Sequence, residues 1–164
     1  AAIQTHQTPI PLPLPIESAG PSAPARDPAR KLVTVNGCFD ILHIGHVQFL
    51  EQARALGEEL WILLNDDVSI RTYKGPTRPV FPVAFRRAAL LGLRSVSGVI
   101  PFHEENPLRV LGELKPDIHV KGGSYEEDRL RQERELLAGW GGKLEVCPLV
   151  EGHSSSAYIR RVRG

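Results

Sequence analysis

Two histidines, His43 and His46, lie three residues apart between a short β-branched run and a helical pattern. At that spacing both rings fall on one face of a helix, beside its unpaired amides and the positive end of its dipole. Imidazole groups aimed at an anion there would stabilise a phosphate, and above all the extra charge of a phosphoryl-transfer transition state. Gly45 would let a phosphate approach the backbone closely. The spacing therefore predicts an anion site with catalytic potential.

Other interpretations of the two histidines are a zinc pair or ordinary surface residues. No third cluster of ligands is evident in the sequence, so we predict no protein metal site. The chain contains neither the GxGxxG fingerprint of dinucleotide-binding proteins nor the Walker lysine motif of a P-loop. The remaining histidines that we considered match no catalytic pattern and are predicted to be surface or turn residues: His103, His119 and His153.

A strand–turn–helix framework is needed to position the histidines, and the rest of the chain has that pattern. Strands are predicted at residues 32–35, 60–64, within 96–102, 118–120 and 144–147. Helices are predicted at residues 46–56, 83–93, 107–114, 126–140 and 154–161. This alternation predicts an α/β fold: a Rossmann-like parallel five-stranded sheet with helices on both faces. Ligands in such sheets bind beyond the carboxyl ends of the strands, here after strands one, two, four and five.

Composition limits the classes of function. The chain has 20 Lys and Arg against 19 Asp and Glu, a formal charge of +1, which argues against a nucleic-acid partner. Its apolar runs are far too short to span a membrane, and its two cysteines suit a reducing cytoplasm. Seven of the 14 prolines fall in residues 1–28. Residues 1–29 are therefore predicted to be a disordered tail or linker, with an SH3- or WW-type ligand as the alternative, and residues 30–164 one domain.

Further motifs follow the other predicted strands. They are Asn65-Asp66-Asp67, Lys74-Gly75-Pro76, Lys121-Gly122-Gly123 and Glu151-Gly152. With Asn36-Gly37-Cys38-Phe39-Asp40 and His43-Ile44-Gly45-His46, the chain resembles the HxGH nucleotidyltransferase superfamily. Within it, the order and spacing of the motifs resemble the adenylyltransferase domain of the ADP-heptose synthase family, over about residues 30–164.

The resemblance implies a reaction and its partners. AMP would pass from ATP to D-glycero-β-D-manno-heptose 1-phosphate, giving ADP-heptose, a precursor of the lipopolysaccharide core, and pyrophosphate. The sugar phosphate attacks the α-phosphorus in line, so no protein nucleophile is needed, and Mg²⁺ is expected as a counter-charge. The resemblance also implies a kinase domain, either upstream or as a separate protein, and a cytoplasmic homodimer.

Each motif receives a role from the resemblance and from the residue types. Catalysis is assigned to His43, His46 and Lys74, the last in a Gly/Pro-rich loop that would close over phosphates. Nucleotide binding is assigned to Asn36, Gly37, Cys38, Phe39, Gly45, Lys121, Gly122, Gly123, Ser154, Ser155 and Ser156. Substrate binding is assigned to Asp40, Arg78 and Arg86. Cys38 is interpreted as a packed turn residue and not a nucleophile, because phosphoryl displacement needs no thiolate.

Two departures from the family pattern leave other functions open. Ala84-Phe85 stands where the family has acidic residues, and Ser124-Tyr125 stands where it has Asp-Tyr. The alternatives are cytidylyl transfer onto glycerol 3-phosphate or a related alcohol phosphate, and a non-catalytic nucleotide-binding sensor.

The mixed charges of residues 126–135 predict a solvated helix face.

Overall fold

A computed structural model of the 164-residue chain describes residues 27–123, 127–148 and 155–163. The elements in chain order are β1 (Leu32–Gly37), α1 (Ile44–Arg54), β2 (Glu59–Asn65), α2 (Asp67–Lys74), α3 (Val83–Leu91), β3 (Gly98–Phe102), α4 (Leu108–Leu114), β4 (Ile118–Gly122), α5 (Glu127–Ala138), β5 (Lys143–Cys147) and α6 (Ser155–Arg163). All but a few residues of the predicted tail lie outside the described residues, as do Ser124, Tyr125, His153 and Ser154.

The five strands form one parallel sheet in the order β3-β2-β1-β4-β5. The prediction of a parallel five-stranded α/β fold is confirmed. The chain begins at the central strand, proceeds outward through β2 and β3, and then crosses to β4 on the other side of β1. The gap between β1 and β4 is therefore the switch point at which such sheets bind ligands.

Alternate residues of the strands face opposite layers of helices. Val33 and Val35 of β1 pack in a core with Leu50 of α1 and Leu90 of α3. Leu32, on the opposite side of β1, packs in a second cluster with residues of α4 such as Leu111. Residues 32–35 of β1 are buried on both faces, as expected for the central strand of a sheet with helices on both sides. Among the described residues, no helix combines the length and apolar character needed to cross a bilayer.

Helix α2 was not predicted from the sequence, and it changes the setting of Lys74. Asp66 is its N-cap, where the side chain accepts a 2.8 Å hydrogen bond from the Ser69 amide. Lys74 is its last residue, and Gly75, at φ 89°, ends it. The prediction that Lys74 lies in a loop is therefore wrong: the Gly-Pro sequence marks the end of a helix whose capping signal, Asp66, was overlooked.

His119 was predicted to be a surface or turn residue and is instead fully buried. It lies in β4 opposite Thr34 of β1, and its Nδ1 is 2.8 Å from the Thr34 hydroxyl. The prediction was wrong because burial of a β4 residue depends on β1 and α5, which only the fold brings together. His103, by contrast, has an exposed side chain, as predicted.

Candidate active site

A cleft of about 620 Å³ opens at the carboxyl ends of β1, β2 and β4, within the size range of small-molecule sites. Its lining comprises Asn36, Gly37, Cys38, Phe39, His46, Phe49, Asn65, Tyr73, Lys74, Glu105, Asn106, Pro107, Lys121, Gly122, Leu130 and Glu133. The cleft thus brings together eight residues of the predicted site from three parts of the chain. It also includes the β1–β4 switch point.

The two histidines stack at the start of α1. His43 is the N-cap residue and His46 lies in the first turn, with ring centroids 3.8 Å apart and planes inclined by 27°. This geometry agrees with the expectation that both rings share one face. Burial, followed by the charges of His43 and Lys74, lowers the pKa of His46 to about 4. At neutral pH the His46 ring is therefore uncharged, and a neutral imidazole has one N–H that can donate to an anion.

The turn after β1 packs against His46. Phe39 adopts a left-handed backbone conformation, at φ 43°, and its ring centroid lies 5.2 Å from that of His46. A Cβ on Gly37 would stand only 3.0 Å from the Phe39 ring. Glycine at position 37 therefore allows Phe39 to fold over the start of α1 and hold His46 in place.

Arg86 does not reach the cleft, although it was predicted to contact substrate. It is 2% exposed, and its guanidinium donates to the carbonyls of Cys38, Asn65 and Phe81 at 2.6, 2.8 and 2.9 Å. It also forms a 2.7 Å ion pair with Asp67 at the start of α2. Arg86 therefore ties together the ends of β1 and β2, so in this structure its role is to position the cleft walls.

Asp40 and Arg78, also predicted to bind substrate, bind each other. The Arg78 Nε donates to the Asp40 carboxylate at 2.7 Å, and the Val80 and Phe81 amides donate to the same carboxylate. Burial alone would raise the pKa of Asp40, but the Phe81 and Val80 amides and Arg78 outweigh it, so the pKa is lowered. Neither residue lines the cleft, and the pair instead anchors the segment between α2 and α3 to the β1 turn.

Lys74 lines the cleft beside an aromatic residue that was not singled out from the sequence. Its Nζ lies 5.9 Å from the centroid of the Tyr73 ring, and the Tyr73 hydroxyl is 2.6 Å from the Cys38 sulfur. Burial, followed by the hydrogen bond to Cys38 and the charge of Cys38, raises the pKa of Tyr73. The contact between Cys38 and Tyr73 agrees with the interpretation of Cys38 as a packed turn residue.

Lys121 joins β4 to β1 and α5. Its Nζ lies 2.7 Å from the Asn36 amide oxygen and 2.7 Å from the Glu133 carboxylate, and Glu133 is only 6% exposed. The charged residues of 126–135 were predicted to form a solvated helix face, and Glu133 departs from that prediction. The signal was present, since Glu133 follows Leu130 by three residues and precedes Leu137 by four, and both leucines are buried.

The glycines after β4 and the start of α6 complete the surroundings of the site. Gly123, at φ 118°, donates its amide to the Cys147 carbonyl at 3.0 Å and turns the chain away from Gly122. Helix α6 begins with Ser155 and Ser156, and Tyr158 places its ring 5.4 Å from that of His43. The last helix therefore lies beside the histidine pair. Gly45, in the first turn of α1, is buried.

Several lining residues were not assigned roles from the sequence: Asn65, Tyr73, Glu105, Asn106, Leu130 and Glu133. Asn65 ends β2 and precedes the capping Asp66, so the motif Asn65-Asp66-Asp67 carried a usable signal. The described residues contain no group of three or more His, Cys, Asp or Glu side chains that could hold a metal ion.

A parallel sheet with paired histidines at its switch point defines the chain as an α/β domain built to bind a nucleotide or similar anion. Residues 34–161 match the family described as Cytidylyltransferase-like, and the chain belongs to this family of HxGH nucleotidyltransferases. Its relatives include two proteins named Bifunctional protein HldE. The one from Alkalilimnicola ehrlichii is 45% identical over 141 residues, which cover 86% of this chain and 29% of the relative. The one from Pseudomonas savastanoi pv. phaseolicola is 46% identical over 140 residues, which cover 85% of this chain and 29% of the relative.

A solved structure supports the same assignment. The lipopolysaccharide core biosynthesis protein from Thermoplasma volcanium aligns with a TM-score of 0.62 and 28% identity, covering 76% of this chain and 99% of that one. The chain spans only about 29% of the length of the two bifunctional relatives. It therefore corresponds to one part of those proteins.

Proposed function

We propose that this domain transfers AMP from ATP to D-glycero-β-D-manno-heptose 1-phosphate, forming ADP-heptose and pyrophosphate. The observation that carries the proposal is the stacked His43–His46 pair at the start of α1, of which His46 lines the switch-point cleft. The names of the bifunctional relatives and of the lipopolysaccharide core protein support the choice of acceptor.

The proposed chemistry is an in-line displacement. An oxygen of the sugar phosphate forms a bond to the α-phosphorus of ATP while the bond from that phosphorus to the bridging oxygen breaks, and pyrophosphate leaves. His46 donates a hydrogen bond to the phosphate oxygens without a charge of its own, and the amides at the start of α1 and the Lys74 ammonium add positive potential. The protein supplies position and charge, and no covalent intermediate forms.

The cleft divides into two proposed parts. The nucleotide would occupy the side formed by β1, β4 and α5, against the backbone of residues 36–39, Lys121, Gly122 and Gly123, with Ser154, Ser155 and Ser156 at the phosphates. The sugar phosphate would occupy the side formed by Asn65, Glu105 and Asn106, whose amide and carboxylate groups suit sugar hydroxyls.

Mg²⁺ is proposed to arrive with the nucleotide. The described residues provide no cluster of metal ligands, and this ion is commonly held by substrate phosphates with few protein groups. It would supply counter-charge to the pyrophosphate. The residues named above bind and orient the reactants.

The relatives are named bifunctional and are much longer than this chain, which supports a kinase activity elsewhere in the same protein or in a partner. We propose that such a kinase phosphorylates the sugar, and that the domain works in the cytoplasm as a homodimer. Analytical ultracentrifugation tests the dimer: sedimentation as a monomer at micromolar concentration would contradict it.

A pyrophosphate-release assay tests the function, with ATP or CTP against heptose 1-phosphate or glycerol 3-phosphate. We expect release with ATP and heptose 1-phosphate. Release with CTP and glycerol 3-phosphate alone would favour the second candidate, cytidylyl transfer, to which the family description points. Tight nucleotide binding with no turnover in any pair would instead indicate a sensor module.

A further inference from the structure

Glu133, a residue of the cleft wall, has one carboxylate oxygen without a hydrogen-bond partner among the described residues. The residue lies on α5, is 6% exposed and lines the cleft with Leu130 from the preceding turn. Its Oε1 is 2.7 Å from the Lys121 ammonium, whereas its Oε2 is buried with no hydrogen-bond donor in the described part of the chain. A buried acceptor without a donor is costly, so the oxygen is suited to a donor that a ligand brings.

His119 does not satisfy this oxygen. The His119 Nε2 lies 3.9 Å from Glu133 Oε2, which is too long for a hydrogen bond. Burial, followed by the charge of Lys121, lowers the pKa of His119 well below its usual value, so the ring carries no charge at neutral pH. Both His119 Nε2 and Glu133 Oε2 are buried without a hydrogen-bond partner among the described residues, so His119 leaves the acceptor capacity of Glu133 unused.

The surroundings of Glu133 match one end of a nucleotide. The histidines that would hold the triphosphate are at the start of α1, and Glu133 belongs to α5, the helix that follows β4. Phe49 and Leu130, both nearly buried, contribute apolar wall to the same cleft. A base held against that wall would lie in the same cleft as the Glu133 carboxylate.

We propose that Glu133 is a specificity-determining residue that accepts a hydrogen bond from the exocyclic amino group of the nucleotide base. The assignment rests on the proposed placement of the nucleotide at the β1–β4 switch point. The 6-amino group of adenine donates to the carboxylate, whereas the 6-oxo group of hypoxanthine places an acceptor against an acceptor. The site should therefore favour ATP over inosine triphosphate.

Calorimetric titration of the full chain with ATP and with inosine triphosphate tests this proposal. We expect the wild-type protein to bind ATP about tenfold more tightly, the difference of one hydrogen bond to a charged group. Glu133→Gln keeps the side-chain shape and adds a donor for the oxo group of inosine triphosphate. The preference of this variant for ATP over inosine triphosphate should therefore fall below about threefold. Glu135→Gln is the matched control, because that side chain on the same helix is 71% exposed, and it should retain the wild-type preference.

Three results would overturn the proposal: equal binding of both nucleotides by the wild-type protein, an unchanged preference in Glu133→Gln, or equal weakening of both nucleotides, which would make Glu133 only a counter-ion for Lys121. If circular dichroism shows that Glu133→Gln is unfolded, Glu133→Asp, with a shorter carboxylate, should show the reduced preference. The pyrophosphate-release assay tests the proposed acceptor independently of the base preference. Base preference without turnover of heptose 1-phosphate would reject the proposed acceptor alone, whereas turnover without base preference would reject only the role of Glu133.

Discussion

His46 is uncharged at neutral pH, although the sequence predicts an anion site at its position. Burial and the neighbouring charges of His43 and Lys74 keep its pKa near 4, so the ring is already in its neutral form when an anion arrives at neutral pH. A neutral donor placed beforehand can stabilise the extra charge of a transition state without reorganisation. Lys74, at the end of α2, then supplies the full positive charge that His46 lacks.

Replacement of His46 by alanine should lower kcat for nucleotidyl transfer by about a hundredfold or more, because a donor to the transition state is lost. The melting temperature should change little, since the ring lines a cleft and is not part of the apolar core. Pyrophosphate release and thermal unfolding measure the two effects. His103→Ala, with a side chain 73% exposed, should leave both unchanged. Normal turnover in His46→Ala would contradict the catalytic role.

At the scale of elements, one buried arginine connects the walls of the cleft. Arg86 of α3 bonds the carbonyls that follow β1 and end β2, and it pairs with Asp67 at the start of α2. These contacts fix where the β1 turn and α2 stand relative to each other. The positions of Phe39, His46, Tyr73 and Lys74 therefore depend on a side chain that does not line the cleft.

Arg86→Lys should destabilise the domain by about 3 kcal/mol, because one ammonium cannot replace the fork of donors and leaves buried carbonyls unsatisfied. Chemical denaturation measures this loss, and KM for ATP should rise as the turn loosens. Arg94→Lys is the control, since its side chain is 90% exposed and should tolerate the change. Full stability of Arg86→Lys would show that the bonds to Cys38 and Asn65 are dispensable.

At the scale of the whole molecule, the net charge of +1 conceals an uneven distribution. Lys74 and Lys121 both line the cleft, but Glu133 lies against Lys121 and offsets its charge locally. Two histidines, His46 and His119, are also kept neutral by burial. The folded molecule thus resists taking up protons that the unfolded chain binds readily.

Stability should therefore fall as the pH is lowered. Between the ordinary histidine pKa of about 6.5 and the folded value near 4 for His46, the unfolded state binds protons that the folded state excludes. Melting temperatures measured from pH 7.5 downward should be level above about pH 6.5 and decline below it. His119→Asn should reduce the slope, and His103→Asn should not. A flat profile from pH 6.5 to 4 would contradict the lowered pKa values.

Local patterns in the sequence were enough to predict the five strands, five of the six described helices and the histidine pair. The β-branched run of β1 and the His-x-x-His spacing involve neighbours within one or two turns, so their consequences can be derived without the fold. Helix α2 was missed, although Asp66 marks its start. The family resemblance added the proposed nucleotide and acceptor, which spacing alone does not specify.

Only the tertiary structure decided the partners of the buried polar groups. Lys121 meets Asn36 across 85 residues, Arg86 meets Cys38 across 48, and Arg78 meets Asp40 across 38. From the sequence alone, Arg86, Arg78 and Asp40 were assigned to substrate, and Glu133 to a solvated face. A charged side chain is equally suited to a ligand or to another residue, and the choice depends on which elements the sheet brings within hydrogen-bond distance. That information lies in the packing of β1, β4, α3 and α5.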